Sequence, residues 1–280
     1  MKYAFVLHTD DFKKFPDVAR EAEDLGWDGV FIADAIAIGG EGMDKFPWFD
    51  PWVVLAVMAE RTERIKLGTM IAAIPRRRPW KLAREVCTLD HLSNGRIILG
   101  VGLGAAKDDG GFSKVGEPMD LKTRAELMDD GLAIMDGLWS GKPFSYKGAH
   151  YTVDQMAMLP RPVQKPRVPI WVVGVWPKEK SMQRTLRWDG IIPQKYKASP
   201  EGVVNAEDIR RIEEYVSANR KKRSHFDIIA GGTTPGKNRK RTSEIVRPFI
   251  DAGATWWIES EWDARKNLAR MRLGPPAVGE

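Results

Sequence analysis

Cysteine is almost absent from the sequence, which has Cys87 as its only thiol in 280 residues. A single thiol excludes an intrachain disulfide and a metal cluster built on cysteine. Cys87 falls within a helical pattern, so a packed core thiol is the favoured interpretation and a nucleophile is the alternative. The four histidines share no metal-ligand spacing, and we therefore expect no bound metal.

Long hydrophobic runs are also missing, and none approaches the roughly 20 apolar residues that a membrane-spanning helix needs. The chain starts with MKYAFVLHTDDF, in which a short apolar run is followed at once by acidic residues. This run is too short for the hydrophobic region of a signal peptide, and it predicts a first strand instead. We expect a cytoplasmic protein without a membrane partner.

The charge balance shows only a mild excess of one sign, with 44 Lys and Arg against 38 Asp and Glu, or +6. Basic residues cluster at 220–223 and 237–241, which is typical of solvated loops and helix ends, and a nucleic-acid-binding face is the alternative. The sequence has no zinc-finger spacing and no RNP-type aromatic motif, so we expect no nucleic-acid partner. A Walker A loop and a G-x-S-x-G nucleophile elbow are missing as well.

What the sequence does contain is a regular alternation of short apolar stretches and amphipathic helical patterns. Apolar residues recur at spacings of three and four, as in Phe15, Val18 and Ala22, which indicates helices with one buried face. Stretches such as AFVL and IWVV lack polar alternation, which favours strands buried on both faces. The eight predicted strands are 2–7, 29–33, 65–71, 96–101, 169–173, 190–193, 226–230 and 255–258.

Strands that alternate with helices predict parallel pairing through right-handed crossovers, and eight such units close into a barrel. We therefore predict an α/β protein, a (β/α)8 TIM barrel that forms a single domain over residues 1–280. A hairpin with Gly148 near its turn and a proline-rich segment interrupt the alternation at about residues 143–166. We predict that this segment is a small insertion packed on the barrel.

In a TIM barrel, the active site lies where the strands end at their C-termini. His8 follows the first predicted strand and is the only histidine at such a position, so it is the candidate catalytic acid or base. Asp34 follows the second strand, where it either orients a bound group or caps a loop. Trp48 and Trp176 fall in loops on the same side and are candidates for the lining of an apolar pocket.

Glycine and arginine residues follow the later strands. At Gly102-Leu103-Gly104, backbone without Cβ atoms can approach a flat ligand closely, and a tight turn is the alternative. The segment Gly174-Val175-Trp176 precedes a predicted helix, whose free N–H groups could hold a phosphate, and an ordinary helix start explains it equally well. A basic run at residues 76–78 follows strand three, where a solvated loop is favoured over a site for an anionic cofactor tail.

Seven stretches resemble the luciferase-like monooxygenase superfamily of flavin- and F420-dependent oxidoreductases. They are DPWVVLAVMAERTERIKLGTM, PRRRPWKLAREVCTLDHLSNGR, IILGVGLG, FSYKGAHYTVD, VPIWVVGVWP, RWDGIIP and AGATWWIES. Together they span nearly the whole chain, and their joint specificity is high although each is weak alone. The resemblance implies a TIM barrel that binds FMN or coenzyme F420 at the C-terminal ends of the strands.

The resemblance also assigns the cofactor-binding residues. A non-prolyl cis peptide or bulge that supports the isoalloxazine ring maps to Met70-Ile71. The phosphate-binding loop and the strand-four loop map to the two glycine segments. Together with Asp34, which is a candidate from its position at a strand end, the full set of candidate cofactor-binding residues is Asp34, Met70, Ile71, Gly102, Leu103, Gly104, Gly174, Val175 and Trp176. F420-dependent sugar-phosphate dehydrogenases of the family carry His and Glu where this chain has Ala35 and Ala105. Sugar-phosphate oxidation is therefore disfavoured.

The leading hypothesis is a redox enzyme, in which reduced FMN or F420 either activates oxygen or passes hydride to a small organic substrate. The choice between FMN and F420 stays open at this point. A non-enzymatic flavin carrier of the same fold is the alternative, and a hydrolase or aldolase without a redox cofactor is a third hypothesis. The insertion at residues 143–166 is a candidate lid. A homodimer is implied by analogy alone.

Overall fold

The structure, a computed structural model, describes residues 1–36, 47–105, 111–196, 204–222 and 224–278. Its strands are β1 Lys2–Val6, β2 Gly29–Ile32, β3 Lys66–Ala73, β4 Ile97–Gly102, β5 Phe144–Lys147, β6 Thr152–Met156, β7 Ile170–Trp176, β8 Gly190–Lys195, β9 Asp227–Gly232 and β10 Trp256–Glu259. Its helices are α1 Lys14–Asp24, α2 Pro51–Arg61, α3 Pro79–Leu92, α4 Leu121–Trp139, α5 Glu179–Thr185, α6 Ala206–Asn219, α7 Arg239–Asp251 and α8 Ala264–Met271.

Eight of the strands form a closed parallel barrel in the order β1-β2-β3-β4-β7-β8-β9-β10, and β10 pairs with β1 to close it. The remaining strands, β5 and β6, form a separate antiparallel hairpin. This topology confirms the predicted (β/α)8 barrel. Each barrel strand is parallel to its neighbours, so all of the C-terminal strand ends meet at one rim, which we call the mouth.

The helices begin and end where local chemistry favours it. Helix α2 starts with Pro51 in its first turn, and the Asp50 carboxylate accepts hydrogen bonds from the N–H groups of Trp52 and Val53. Helix α6 has a reciprocal capping box between Asn205 and Asp208. This cap places the first helical residue of α6 at Ala206.

The barrel interior is filled with large side chains at its N-terminal end. The rings of Phe31, Trp171 and Trp256 lie there, almost fully buried, and pack on one another with centroids 5.1–6.2 Å apart. Both indoles donate hydrogen bonds to Asp227. The interior is therefore closed below, and any open space for a ligand lies toward the mouth.

Strand β7 is longer than the sequence pattern predicts, because it ends at Trp176 and not at Val173. Residues 174–176 pair with residues 193–195 of β8, which also continues beyond its predicted end. The prediction that Gly174, Val175 and Trp176 form a loop is wrong, because their pairing with β8 makes them the last residues of strand β7.

The insertion at residues 143–166 packs along the outside of helices α3 and α4. Tyr146 donates a hydrogen bond to Asp130, and burial together with this contact raises the pKa of Tyr146 to about 12. Gln164 donates both to Asp90 and to the carbonyl of Ile97, near the N-terminal end of β4.

The described helices include none that is long and apolar enough to cross a membrane.

Candidate active site

The mouth of the barrel contains a large cavity of about 630 Å³. It lies above one half of the rim, where β2, β3, β4, β7 and β8 end. Its walls combine aliphatic and aromatic side chains with two arginines and one carboxylate; the described lining residues are Ala33, Asp34, Ala35, Met70, Ile71, Ala73, Arg76, Leu103, Gly104, Ala105, Phe112, Leu121, Met128, Val173, Val175, Ser181, Arg184, Ile192, Gln194 and Trp262. The volume falls in the range of roughly 300–1,000 Å³ that is typical of ligand sites.

A buried ion-pair cluster connects the ends of β2 and β3 at this cavity. The Asp34 carboxylate is 2% exposed and accepts hydrogen bonds from Arg76 at 2.5 Å and from Arg77 at 2.6 and 3.2 Å. The Arg76 side chain is 5% exposed and also donates to the backbone carbonyl of Asp34. The prediction of a solvated loop is therefore wrong for Arg76, because Asp34 on the neighbouring strand end holds its guanidinium in the cavity wall.

A second fixed arginine, Arg184, lies across the cavity on α5. It donates to both carboxylate oxygens of Asp129 at 2.8 and 3.0 Å. Burial alone would raise the pKa of Asp129, but the hydrogen bonds and charges of Arg184 and Arg187 outweigh it and lower the pKa. Sequence reasoning missed Arg184, since its partner is 55 residues away on α4 and no local motif marks the pair.

The peptide bond between Met70 and Ile71 is cis, as the family resemblance implied. The pairing of β3 with β4 shifts register between Thr69 and Ala72, which makes a bulge at the same place. Both Met70 and Ile71 line the large cavity. The structure thus has the expected backbone feature where the resemblance mapped it, on the cavity wall.

The predicted segment Gly102-Leu103-Gly104 lines the cavity only in part. Leu103 and Gly104 line the cavity, whereas Gly102 packs behind it, against Ile71 and Val173. Gly104 has a φ of +82°, and a Cβ there would lie 2.5 Å from the ring of Phe112. A glycine is required at this point of the wall, since both the backbone conformation and the aromatic neighbour exclude a side chain.

Of the three residues at the C-terminal end of β7 that were predicted to hold a phosphate, only Val175 lines the cavity. Its N–H donates to the hydroxyl of Ser181 at 2.9 Å, so an internal partner already satisfies this donor. Gly174 faces the barrel exterior, where a Cβ would lie 2.6 Å from Ile191. Trp176 packs edge-on against Tyr215, with ring centroids 5.9 Å apart, and does not line the cavity.

His8 is buried at the end of β1 but is not among the described residues that line the large cavity. Its ring lies 4.5 Å from the ring of Trp262, centroid to centroid, and 6.2 Å from that of Trp48. Both His8 and Trp48 line a separate void of about 20 Å³. Burial lowers the pKa of His8 to about 4, so its imidazole is neutral at pH 7.

A smaller axial pocket of about 250 Å³ adjoins the large cavity over the other half of the rim. It lies above β8, β9, β10 and β1, and it has an aliphatic floor. Four residues line both spaces: Met70, Ile192, Gln194 and Trp262. Gln194 lies at a strand end that the barrel rule selects, but sequence reasoning gave it no role. Sequence reasoning did not select Trp262, because this residue acquires its place only when distant strand ends converge.

The residues of the large cavity fit a flavin or deazaflavin. Largely apolar walls suit a tricyclic ring, and the guanidiniums of Arg76 and Arg184, which carboxylates hold in place, are suited to the anionic groups of its tail. Ala35 and Ala105 both line this cavity, so the two positions at which the resemblance implied an acid or base in sugar-phosphate dehydrogenases present only methyl groups here.

Comparisons with known proteins agree with this geometry. The family model of the luciferase-like monooxygenases matches residues 4–277. An F420-dependent glucose-6-phosphate dehydrogenase of Microbacterium testaceum is 31% identical over 179 residues, which cover 61% of this chain and 50% of that protein. The chain thus spans about half the length of this curated relative.

Two solved structures share the fold over nearly their whole length. An F420-dependent secondary alcohol dehydrogenase in complex with an F420-acetone adduct has a TM-score of 0.76 at 16% identity, with 100% of this chain and 99% of that chain covered. The monooxygenase RslO1 of Streptomyces bottropensis has a TM-score of 0.71 at 20% identity, with coverages of 98% and 97%.

Proposed function

The chain belongs to the luciferase-like monooxygenase family, and we propose that it is an F420-dependent oxidoreductase that binds the deazaflavin in the large cavity and acts on a small organic substrate. The observation that carries the proposal is the cavity itself, whose walls combine the bulge at Met70-Ile71 with two arginines that carboxylates hold in place. Three relatives at 30–31% identity are F420-dependent glucose-6-phosphate dehydrogenases, which favours F420 over FMN.

The proposal gives the wall residues separate roles. Met70, Ile71, Leu103 and Val175 would contact the ring, and Gly104 leaves room for it. Arg76 and Arg184 would bind the anionic tail, with Asp34 as the positioning residue for Arg76. Gly102, Gly174 and Trp176 would act from behind the wall, through the side chains against which they pack.

When bound, the deazaflavin would supply or accept a hydride at a substrate carbon, while a proton is exchanged at the substrate oxygen. The chain itself would orient the cofactor and the substrate against the aliphatic floor of the axial pocket. Ala35 and Ala105 have no titratable group, so sugar-phosphate oxidation by a side-chain acid–base pair at these two positions is not part of the proposal. The catalytic role of His8 stays a prediction, and Trp262 lies between its imidazole and the two spaces.

The test is a titration of the purified protein with F420, reduced F420 and FMN, followed by absorbance and fluorescence. We expect saturable binding of F420 with an affinity at least tenfold higher than that of FMN, and turnover with reduced or oxidised F420. Tight binding without any turnover would favour the carrier alternative. A protein that binds neither compound would overturn the proposal and would revive a cofactor-free reaction.

The homodimer stays a prediction as well. Sedimentation equilibrium of the purified protein measures it directly, and a single species of 31.5 kDa would contradict it.

A further inference from the structure

The axial pocket has the composition of a binding site for a small hydrocarbon group. Its floor is built by Val6 of β1, Ile229 of β9 and Ile258 of β10, which belong to the apolar cluster inside the barrel. Its volume of about 250 Å³ lies below that of cavities for drug-sized ligands, which begin at roughly 300 Å³. The pocket therefore suits a compact molecule.

The axial pocket differs from the large cavity beside it in the charge of its lining residues. None of the described residues that line the axial pocket carries a charge, whereas the large cavity has Arg76 and Arg184 in its walls. Lys195, the cation nearest along β8, is paired with Asp208 at 2.8 Å and does not line the pocket. A phosphate or carboxylate bound there would lose its hydration without gaining a described cationic partner, which is costly.

Two polar side chains line the axial pocket, and they differ in what they can still bind. The Ser260 hydroxyl donates a long hydrogen bond, at 3.5 Å, to the carbonyl of Gly232. The Gln194 side chain is exposed at the boundary of the two spaces and makes no hydrogen bond to any residue within the described part of the chain. A primary amide can donate to a carbonyl oxygen and accept from a hydroxyl, so one side chain can bind both a ketone and the corresponding alcohol.

We propose that the axial pocket is the substrate site and that it selects small, uncharged, mostly hydrocarbon ketones or secondary alcohols, whose oxygen is bound by the amide of Gln194. This inference rests on the proposed function for the redox reaction. In the reduction, the carbonyl carbon gains a hydride from the reduced cofactor and the oxygen gains a proton from solvent, so the cofactor loses two electrons and the ketone becomes an alcohol.

Trp262 defines the size limit of the site. It is 50% exposed, lines both the axial pocket and the large cavity, and lies against His8. Its indole forms part of the wall shared by the two spaces, so truncation of this side chain should widen the connection between them and admit bulkier hydrocarbon groups.

The experiment uses cyclohexanol, cyclohexanone and cyclohexyl phosphate, which share one ring and differ in charge. Binding of F420 is measured first, because its absence would contradict the proposed function itself. Each probe is then titrated into the F420-saturated protein by calorimetry, and turnover of cyclohexanol and cyclohexanone is followed at the absorbance of F420. We expect both neutral probes to bind at least tenfold more tightly than cyclohexyl phosphate.

Two variants test the residue assignments. Gln194→Ala should weaken cyclohexanone binding to the F420-saturated protein about tenfold, while the matched variant Lys195→Gln, one residue along the same strand, should leave this binding unchanged. Trp262→Ala should bind 4-tert-butylcyclohexanone at least fivefold more tightly than the unmodified protein does.

Three results would overturn the inference while leaving the proposed function intact. They are tighter binding of cyclohexyl phosphate than of cyclohexanol, no binding of either neutral probe by the F420-loaded protein, and ketone binding that Gln194→Ala does not change.

Discussion

The imidazole of His8 lies against the indole of Trp262, with ring centroids 4.5 Å apart and ring planes inclined by 33°. Trp262 lines both spaces at the mouth, whereas His8 lines neither within the described residues. The contact therefore places a titratable group directly behind a shared wall of the candidate site. It gives His8 two distinguishable roles, proton transfer and support of Trp262.

The first prediction concerns activity. His8→Phe keeps an aromatic ring against Trp262 and removes the titratable nitrogens. If His8 supports the indole, kcat at pH 7 should stay within about threefold and its pH profile should keep its shape. A loss of more than about 100-fold in kcat, with KM unchanged, would instead identify His8 as a proton-transfer residue. His8→Ala, which removes the ring as well, should raise KM in either case.

The second prediction concerns the acid stability that follows from the same burial. The folded pKa of His8 is about 4 against an ordinary value of 6.5. Between these values the unfolded chain binds a proton that the folded protein does not, so the free energy of unfolding falls as the pH falls through this window. The loss attributable to His8 is about 3 kcal/mol at most. Urea unfolding at intervals from pH 7 to pH 4 should give a shallower decline for His8→Phe than for the parent protein, and parallel declines would exclude His8 as the cause.

The third prediction uses two arginines that share one carboxylate. Both Arg76 and Arg77 bind Asp34, but Arg76 lines the large cavity, whereas Arg77 lies over the ring of Trp52, 5.4 Å from its centroid. Arg76→Gln should weaken F420 binding about 10- to 100-fold, since a hydrogen bond to a charged group contributes about 1.5–3 kcal/mol. Arg77→Gln is the matched control and should change the Kd less than threefold. Equal losses in the two variants would show that the effect comes from loss of the Asp34 cluster and not from a contact with the cofactor.

The fourth prediction tests a buried carboxylate outside the site. Glu23 on α1 accepts hydrogen bonds from the N–H groups of Glu63, Arg64 and Ile65, at distances of 2.6–3.2 Å. Burial would raise its pKa, but these three donors outweigh burial and lower the pKa below its ordinary value of 4.5. The stabilisation is therefore complete above about pH 4.5 and is lost as the pH falls through the lower folded value.

Glu23→Gln should accordingly reduce the free energy of unfolding at pH 7 by about 1–3 kcal/mol and flatten its dependence on pH below 4.5. Glu63→Gln is the control, because that side chain is 74% exposed and pairs with Arg20 only at 3.7 Å. Urea unfolding at pH 7 and at pH 3.5 measures both effects, and equal losses from the two substitutions would contradict the assignment.

The barrel was predictable from the sequence because its signal is local. Each strand is a short apolar stretch and each helix has its own apolar face, so the order of elements follows from a reading along the chain. The end of β7 was not predictable, since its last three residues are strand only because β8 extends beside them. Pairing between neighbours decides such boundaries, and neither segment shows the pairing in its own composition.

The candidate site was predictable in part, for a similar reason. Positions at strand ends, such as Asp34 and Leu103, follow from the barrel rule, and the cis peptide at Met70-Ile71 followed from the resemblance. The partner of Asp34 lies 42 residues away, and nothing near Arg76 distinguishes its buried guanidinium from the half-buried one of Arg77. Whether a residue faces the cavity or the barrel exterior depends on packing among several strands and helices. For this reason the sequence did not show that Val175 lines the cavity whereas Gly174 faces the exterior.

The fifth prediction concerns the aromatic side chains that close the barrel at the end opposite the mouth and so keep the candidate site at one end. The Asp227 carboxylate accepts hydrogen bonds at 3.1 Å from the indole N–H groups of Trp171 and of Trp256, and at 2.8 Å from the hydroxyl of Thr255. Both indoles are buried to within 1% of full coverage. Asp227→Ala leaves these two donors without an acceptor, and each unsatisfied buried donor costs about 1–3 kcal/mol. We expect a loss of about 2–6 kcal/mol in the free energy of unfolding.

The same substitution should leave the Kd for F420 within about twofold, because Asp227 lies at the end of the barrel opposite the mouth. Asp24→Ala is the control, since it removes an exposed carboxylate whose partner is Arg20 on the same helix, and it should cost less than about 0.5 kcal/mol. Asp227→Asn keeps an acceptor oxygen and should recover part of the stability. If Asp227→Ala were as stable as the Asp24 variant, the two tryptophans would not need this carboxylate to hold their positions. Ring packing alone would then have to close this end of the barrel.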